Sequence, residues 1–302
     1  MQKIIPHLWF DNQAKEAASF YSSVFPNSQV THVMTLHDTP SGDTDVVSFD
    51  LMGYSFQAIS GGPLFHFNPS ISYMINFDPS QDKDAKTRID EVWAKLLDGG
   101  KALMPLDAYP FSQRYGWVED KYGLSWQLIF TDPEGEDRPL VIPSLMFAGS
   151  VTGKAKEASD FYLSIFKHTK RGALELYPSG MEPDMKGTVM FTDFMIENQW
   201  FAAMDSARTP DAAFNEAISL IVHCDTQKEI DYFWDNLSHV PESEQCGWLK
   251  DKYGVSWQIV PTVMDEMMAK GTPEQITRVT EAFLAMKKFD IATLKKAYGK
   301  GT

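Results

Sequence analysis

The chain carries one pattern twice, and no other property limits its fold so strongly. Residues 116–127, GWVEDKYGLSWQ, return as residues 247–258, GWLKDKYGVSWQ, with nine of twelve identical. Residues 14–25, AKEAASFYSSVF, return as residues 155–166, AKEASDFYLSIF, with eight of twelve identical. The blocks keep their order and nearly their spacing. A period well beyond about 50 residues is too long for a solenoid repeat, so a whole domain is duplicated in tandem. The length of 302 residues agrees, at about 150 residues per domain.

Composition narrows what such a pair can do. At 43% hydrophobic and 13% aromatic residues, each half can bury a core of ordinary size. With 27 Lys and Arg against 41 Asp and Glu, the net charge is −14. That balance argues against nucleic acid, which needs clustered cations to displace counterions. The longest basic clusters are pairs such as Lys287-Lys288 and Lys295-Lys296. No run approaches the ~20 apolar residues of a membrane helix. The first residues lead straight into a strand pattern without a signal-peptide core. Cys224 and Cys246 have no Cys-x-x-Cys spacing, so buried thiols in a cytoplasmic protein are expected.

Each half opens on a short apolar strand, Ile4 to Phe10 and Val141 to Ala148, and a helix follows. In the first helix Ala14, Ala17, Phe20, Tyr21 and Val24 fall at helical spacing. Three strands come next, at Gln29 to Leu36, Asp45 to Met52 and Tyr54 to Ser60, with Pro40-Ser41-Gly42-Asp43 as the first turn. The cycle restarts with a strand from Ile71 to Phe77. A helix begun at Asp78-Pro79-Ser80 carries Ile89, Val92, Trp93, Leu96 and Leu97 on one face. Short strands near Lys101–Met104, Arg114–Glu119 and Leu124–Phe130 complete the half. The second half repeats this order, with Thr226-x-x-Glu229 as a capping box.

After Pro261 the pattern changes. Thr272-Pro273-Glu274-Gln275 is a capped helix start, Ile276, Val279, Phe283 and Leu284 make a stripe, and Asp290 caps a last helix to Tyr298. The sequence thus divides into a domain over 1–131, a linker over 132–139, a second domain over 140–263 and a helical tail over 264–302. The tail's apolar stripe must pack on the body or on a second subunit, so a homodimer is one expectation.

Several motifs recur at matching places. They are Pro6 to Phe10, Glu16-Ala17, Phe20-Tyr21, Phe67-Asn68-x-x-Ile71-Ser72, Asp78, and Gly116-Trp117 with Asp120 and Ser125-Trp126-Gln127. The second half has Glu157-Ala158, Phe161-Tyr162, Phe214-Asn215-x-x-Ile218-Ser219, Asp225 and the 247–258 block. With paired βαβββ units, these residues resemble the vicinal oxygen chelate superfamily of glyoxalases, extradiol dioxygenases and bleomycin-resistance proteins. The nearer likeness is to its PhnB-like branch, labelled 3-demethylubiquinone 3-methyltransferase, and it covers about residues 3–262. It implies an α+β fold of tandem glyoxalase-like domains, each two βαβββ modules forming a curved mixed-sheet cup, plus the helical tail.

The resemblance also implies a site. Metal-using members draw His or Glu from the first strand, the fourth strand, the strand opening the second module and the last strand. By pattern these positions are His7, Gln57, Ser72 and Gln127 in the first half, and Ser144, Ala202, Ser219 and Gln258 in the second. Amides and hydroxyls replace carboxylate or imidazole poorly around a divalent ion. The expectation is therefore a cup that encloses a small, partly apolar ligand with no metal or other cofactor. Its candidate residues are His7, Trp9, Gln57, Ser72, Trp117, Gln127, Ser219 and Gln258, with the first half as the working half.

Two enzymatic alternatives stay open. In one, a lyase, isomerase or dioxygenase, His7, Gln57, Gln127 and water hold a divalent ion as Lewis acid. The other is the methyltransferase of the label. It finds no glycine-rich turn between a strand and a helix, since Gly61-Gly62 runs into Pro63 and Gly99-Gly100 follows a helix.

Each candidate has a structural reading beside the functional one. His7, titrating near neutrality, is a base, a remnant ligand or a binding donor, or else a core histidine held by a neighbour. Gln127 and Gln258 bind a ligand or bond to a strand, because an unpaired buried amide costs about 1–3 kcal/mol. Ser72 and Ser219 face a ligand or make room at the cup floor, and neither has a nucleophile-elbow context. Trp117, Trp126, Trp248 and Trp257 are core or cavity wall. His32, His37, His168, His223 and His239 lack metal-ligand spacing and read as surface or structural. His66 is kept apart, since it precedes Phe67-Asn68 at an expected cup rim.

Overall fold

The duplication is visible in the element order of the computed structural model, which describes residues 2–39 and 42–299. Pro40 and Ser41 of the expected first turn lie outside the described residues. The first module comprises β1 (Ile4–Phe10), α1 (Ala14–Val24), β2 (Gln29–Thr39), β3 (Gly42–Leu51) and β4 (Tyr54–Ser60). The second comprises β5 (Ile71–Phe77), α2 (Ala85–Leu97), β6 (Lys101–Tyr109), β7 (Ser112–Glu119) and β8 (Ser125–Phe130). The third comprises β9 (Val141–Phe147), α3 (Ala155–Ile165), β10 (Lys170–Leu176), β11 (Val189–Ile196) and β12 (Gln199–Asp205). The fourth has β13 (Ile218–Cys224), α4 (Gln227–Leu237), β14 (Trp248–Lys250) and β15 (Ser256–Pro261), and is one strand short. The tail forms α5 (Thr262–Lys270), α6 (Pro273–Leu284) and α7 (Ile291–Gly299).

The architecture is α+β, with two mixed sheets built from the tandem modules. The modules, however, pair across the halves. A seven-stranded sheet in the order β14-β15-β13-β1-β4-β3-β2 joins the first module to the fourth. An eight-stranded sheet in the order β10-β11-β12-β9-β5-β8-β7-β6 joins the second to the third. Opening strands meet antiparallel at each seam, with His7 opposite Ser219 and Ser72 opposite Ser144. This corrects the grouping by halves: His7 and Gln57 do not share a cup with Ser72 and Gln127. Each module's opening strand offers one open edge that must find another strand, and repeated sequences do not say which edge it finds.

The recurring Phe-Asn motif ties this crossing together. Asn68 Nδ2 donates to the Ala213 carbonyl at 2.8 Å, and Asn215 Nδ2 donates to the His66 carbonyl at 2.9 Å. Each Oδ1 accepts from the N–H two residues on, at Ser70 and Ala217. The motif is a reciprocal clasp between halves. His66 is exposed and takes part through its backbone.

α1 and α4 pack on the seven-stranded sheet, α2 and α3 on the eight-stranded one. The Ser-Trp-Gln repeat is explained in this core. Trp126 and Trp257 are fully buried, and their indole N–H groups donate to Asp120 Oδ2 at 2.8 Å and Asp251 Oδ2 at 2.9 Å. Each aspartate also accepts two backbone N–H bonds from its own turn, from Tyr122 and Leu124 or from Tyr253 and Val255. Tyr162 Oη adds a further bond to Asp251 at 2.7 Å. Desolvation still outweighs these donors and pushes both carboxyls up.

Strand bounds differ from expectation, with β2 running on to Thr39 and β6 to Tyr109, and two helix starts differ in detail. α2 begins at Ala85, because Asp78 spends its Oδ1 on the Ser80 N–H and starts a turn instead. Thr226 caps α4 by accepting from the Glu229 N–H, but Glu229 reaches Asp225 rather than Thr226. The Thr272–Gln275 capping box forms as expected.

The tail packs on the body, burying Val279, Phe289 and Leu294 in the main core. It also patches the short fourth module, which has no counterpart of β6. The Cys246 N–H donates to the Met286 carbonyl at 2.8 Å, and the Gly247 N–H to the Lys287 carbonyl at 2.7 Å. Phe289 lies on Gly247, where a Cβ would stand 2.5 Å from its ring. Trp93 covers the equivalent Gly116 in the same way. Among the described residues, no helix is long and apolar enough to cross a membrane.

Candidate functional site

Alternation along a strand puts residues two apart on one face. In the seven-stranded sheet this aligns Ile5, His7 and Trp9 with Gln57 and Ile59, and with Ile221 and His223, around a cavity of about 470 Å³. His7 is register neighbour to Gln57 on one side and Ser219 on the other. Gln258 also lines the cavity and donates from Nε2 to Ser219 Oγ at 2.9 Å. Trp248 lies opposite, and Met264, Met268, Phe283 and Phe289 of the tail close the space. Small-molecule sites of about 300–1,000 Å³ share this character, apolar walls with a few polar groups.

His7 is the most unusual member. It is 3% exposed, and its Nδ1 has no hydrogen-bond partner. Its ring stands edge-on to Trp248, with centroids 5.5 Å apart. Burial without a carboxylate partner pushes its pKa down to about 3, so the imidazole is neutral at physiological pH. A neutral imidazole offers one donor and one acceptor, and leaving one unmet costs about 1–3 kcal/mol.

Trp9 is held beside it. Its Nε1 donates to the Gly62 carbonyl at 2.8 Å. Its ring lies so close to Gly61 that a Cβ there would come within 2.4 Å. Trp9 and Trp248 meet edge to face at 6.2 Å.

Other lining residues are ones that sequence reasoning passed over. His32 and His223, set aside as surface or structural, both line the cavity. His223 Nδ1 lies 3.1 Å from Asp265 Oδ2 on α5, within ion-pair range but off hydrogen-bond alignment. The period of two that links Ser219, Ile221 and His223 was the available signal. Cys246 also lines the cavity, and burial pushes its thiol up. Nothing local marked the tail residues, since an apolar stripe looks the same whether it covers a core or a cavity.

The eight-stranded sheet gathers Ser72, Gln127, Ser144 and Ala202 in its own cup, which is filled differently. Gln127 is 2% exposed. Its Nε2 donates to Ser72 Oγ at 2.8 Å, and its Oε1 accepts from Tyr115 Oη at 2.7 Å. Met74, Ile142 and Ala202 pack there with Ile129, Phe191 and Trp200. Trp117 donates to Ser125 Oγ at 2.6 Å and packs with Met146 and Met204. Arg138 of the linker lies 3.9 Å from the Trp200 ring centroid and donates from Nε to Asp193 Oδ2 at 2.6 Å. Side chains of the protein itself satisfy both ends of the Gln127 amide here, while Ser144 Oγ is left without a partner.

The donor sets do not fit a divalent ion. The ligand positions of the seven-strand cup supply one imidazole, two amides and a hydroxyl; those of the other supply two hydroxyls, an amide and a methyl. Among the described residues, no group of three or more His, Cys, Asp or Glu side chains is placed to hold a metal. Neutral oxygens of this kind are weak ligands for zinc or iron.

Comparison with known proteins gives the family. A family model described as 3-demethylubiquinone-9 3-methyltransferase matches the chain twice, over residues 2–129 and 139–260. The PhnB protein from Bacillus cereus is 35% identical, with 43% of this chain and 100% of its own covered, at a TM-score of 0.39. A protein from Staphylococcus aureus is 28% identical over 44% of this chain and 98% of its own, at a TM-score of 0.18. Glyoxalase I from Zea mays is 12% identical over 88% of this chain and 97% of its own, at a TM-score of 0.52, and shares the fold. No curated protein matches. The chain therefore belongs to the 3-demethylubiquinone-9 3-methyltransferase family, as two tandem PhnB-like copies, and has the fold of glyoxalase I.

Proposed function

We propose that the protein binds a small, partly apolar ligand in the seven-strand cup without a metal ion, and that His7 recognises it. The observation that carries this reading is the unmet Nδ1 of a buried, neutral imidazole in the wall of a cavity. A hydroxyl or carbonyl of the ligand would satisfy it, and the amides of Gln57 and Gln258 offer further donors and acceptors. With its pKa near 3, His7 acts as a hydrogen-bonding group and not as a cation or a strong base. Trp9 and Trp248 supply flat apolar walls. The family description names a methyl transfer; this reading assigns the cup a ligand and no methyl-donor site.

The test is thermal-shift screening of small hydroxylated aromatic compounds on untagged protein, with and without a chelator, followed by titration of the hits. Binding is expected to be indifferent to chelation and at least tenfold weaker in His7→Phe. Binding that chelation abolishes and a stoichiometric metal restores would overturn the metal-free reading. Binding that survives His7→Phe unchanged would remove His7 from it.

A further inference from the structure

The cavity of the seven-strand cup adjoins a second hollow of about 420 Å³. Trp9, Leu36, Ile59, Cys246, Trp248 and Phe283 line both. The exposed wall of the outer hollow is mainly apolar, with Leu64, Phe65, Leu249 and Leu284 adding to the shared residues, although Thr44, Ser243 and Gln245 also line it. Of its charged residues Lys250 and Glu216 pair at 2.8 Å, and Glu242 is the third. Leu64 is 72% exposed, a large aliphatic side chain turned to solvent beside an apolar recess.

The fold explains why the hollow exists. The eight-stranded sheet runs on from β7 to β6, whereas the seven-stranded sheet stops at β14. The tail fills that gap only in part, through the Met286 and Lys287 carbonyls. The sheet also curls until residues from its two ends, β14 and the β2–β3 hairpin, line one groove. His7, Gln57 and Gln258 line the inner chamber and not the outer one. One end of the combined space is therefore polar, its waist is aromatic and its far end is apolar.

We infer, resting on the ligand-binding reading above, that the ligand is an elongated amphiphile. Its flat polar head sits against His7, and an alkyl chain of several carbons runs over the touching Trp9 and Trp248 rings into the outer hollow. The short fourth module gives the chain its exit.

The probe is the n-alkyl 4-hydroxybenzoate series, methyl to octyl, titrated by calorimetry into the full-length protein, His7→Phe and Leu64→Arg. Affinity is expected to rise about fourfold per carbon, the effect of burying one methylene, until the hollow is full. Leu64→Arg, at an exposed position where folding tolerates change, is expected to cut that gain below twofold. A methyl ester that binds and is weakened by His7→Phe, but with no gain along the series, overturns the amphiphile and leaves the His7 reading standing. A steep series that Leu64→Arg leaves untouched places the chain elsewhere and also overturns it. Absence of binding by every homologue rejects both readings.

Discussion

Replacing His7 with phenylalanine keeps a ring against Trp248 and removes the unmet nitrogen. In the folded protein burial holds this imidazole at about 3, against about 6.5 in an unfolded chain. Between those values the unfolded chain binds a proton that the native state refuses. The stability associated with His7 is therefore complete above pH ~6.5 and lost as pH falls toward ~3, at about 1.4 kcal/mol per pH unit. At pH 5, about 1.5 units below the unfolded value, the loss is about 2 kcal/mol. The carboxyls raised by burial at Asp120 and Asp251 titrate alike in both proteins and cancel in the difference.

Phenylalanine also relieves an unpaired polar atom worth about 1–3 kcal/mol. His7→Phe is thus expected to be about 1–3 kcal/mol more stable than the natural chain at pH 7, and about 3–5 kcal/mol more stable at pH 5. Urea unfolding followed by tryptophan fluorescence at both pH values measures this, provided the m-values agree. A stability difference that is equal at the two pH values would refute the titration argument, and a variant less stable at pH 7 would refute the unmet-nitrogen argument. A residue whose loss strengthens the fold while weakening binding is retained for function, a common trade-off at sites.

Four further substitutions probe the frame. Asp251→Ala strips the acceptor from Trp257 Nε1, Tyr162 Oη and two N–H groups; a loss of about 3–5 kcal/mol is expected in denaturant titration, and a loss under about 1 kcal/mol would contradict this account of the repeat. Gly247→Ala faces both a φ of 82° and the Phe289 ring, whereas Gly180→Ala faces only a φ of 87° with nothing within 4 Å. The first should cost at least about 2 kcal/mol more than the second, and equal melting temperatures would show that Phe289 gives way freely. Arg138→Ala, which uncovers Trp200 and leaves Asp193 without its ion pair, should cost about 1–3 kcal/mol yet leave ligand affinity in the other cup unchanged; a shift in that affinity would show the two cups to be coupled.

The sites divided unevenly between what could and could not be read. His7, Gln57, Ser219 and Gln258 were recognisable as positions through the family resemblance, which aligns them with the ligand positions of metal-using members. Their company was not. Ser72 and Gln127 looked equivalent to Ser219 and Gln258, and both glutamines do donate to the serine of their own sheet. Gln127 is satisfied a second time by Tyr115, while Gln258 lines an open cavity. That contrast depends on what lies across the cup.

Local pattern by itself determined the duplication, the strand and helix order of the first three modules and the capped start of α6, since these follow from residue type and short-range period, but it did not foresee the missing strand of the fourth module. The tertiary structure decided which opening strands joined: β1 of the first module paired with β13 of the fourth, and β5 paired with β9. It also placed the tail on Gly247 and over the cup. Such choices belong to open strand edges and apolar faces that find partners in space, and near-identical modules present near-identical edges. The asymmetry that leaves one cup open therefore came from the short fourth module, the linker arginine and the tail, acting across distances that no local period records.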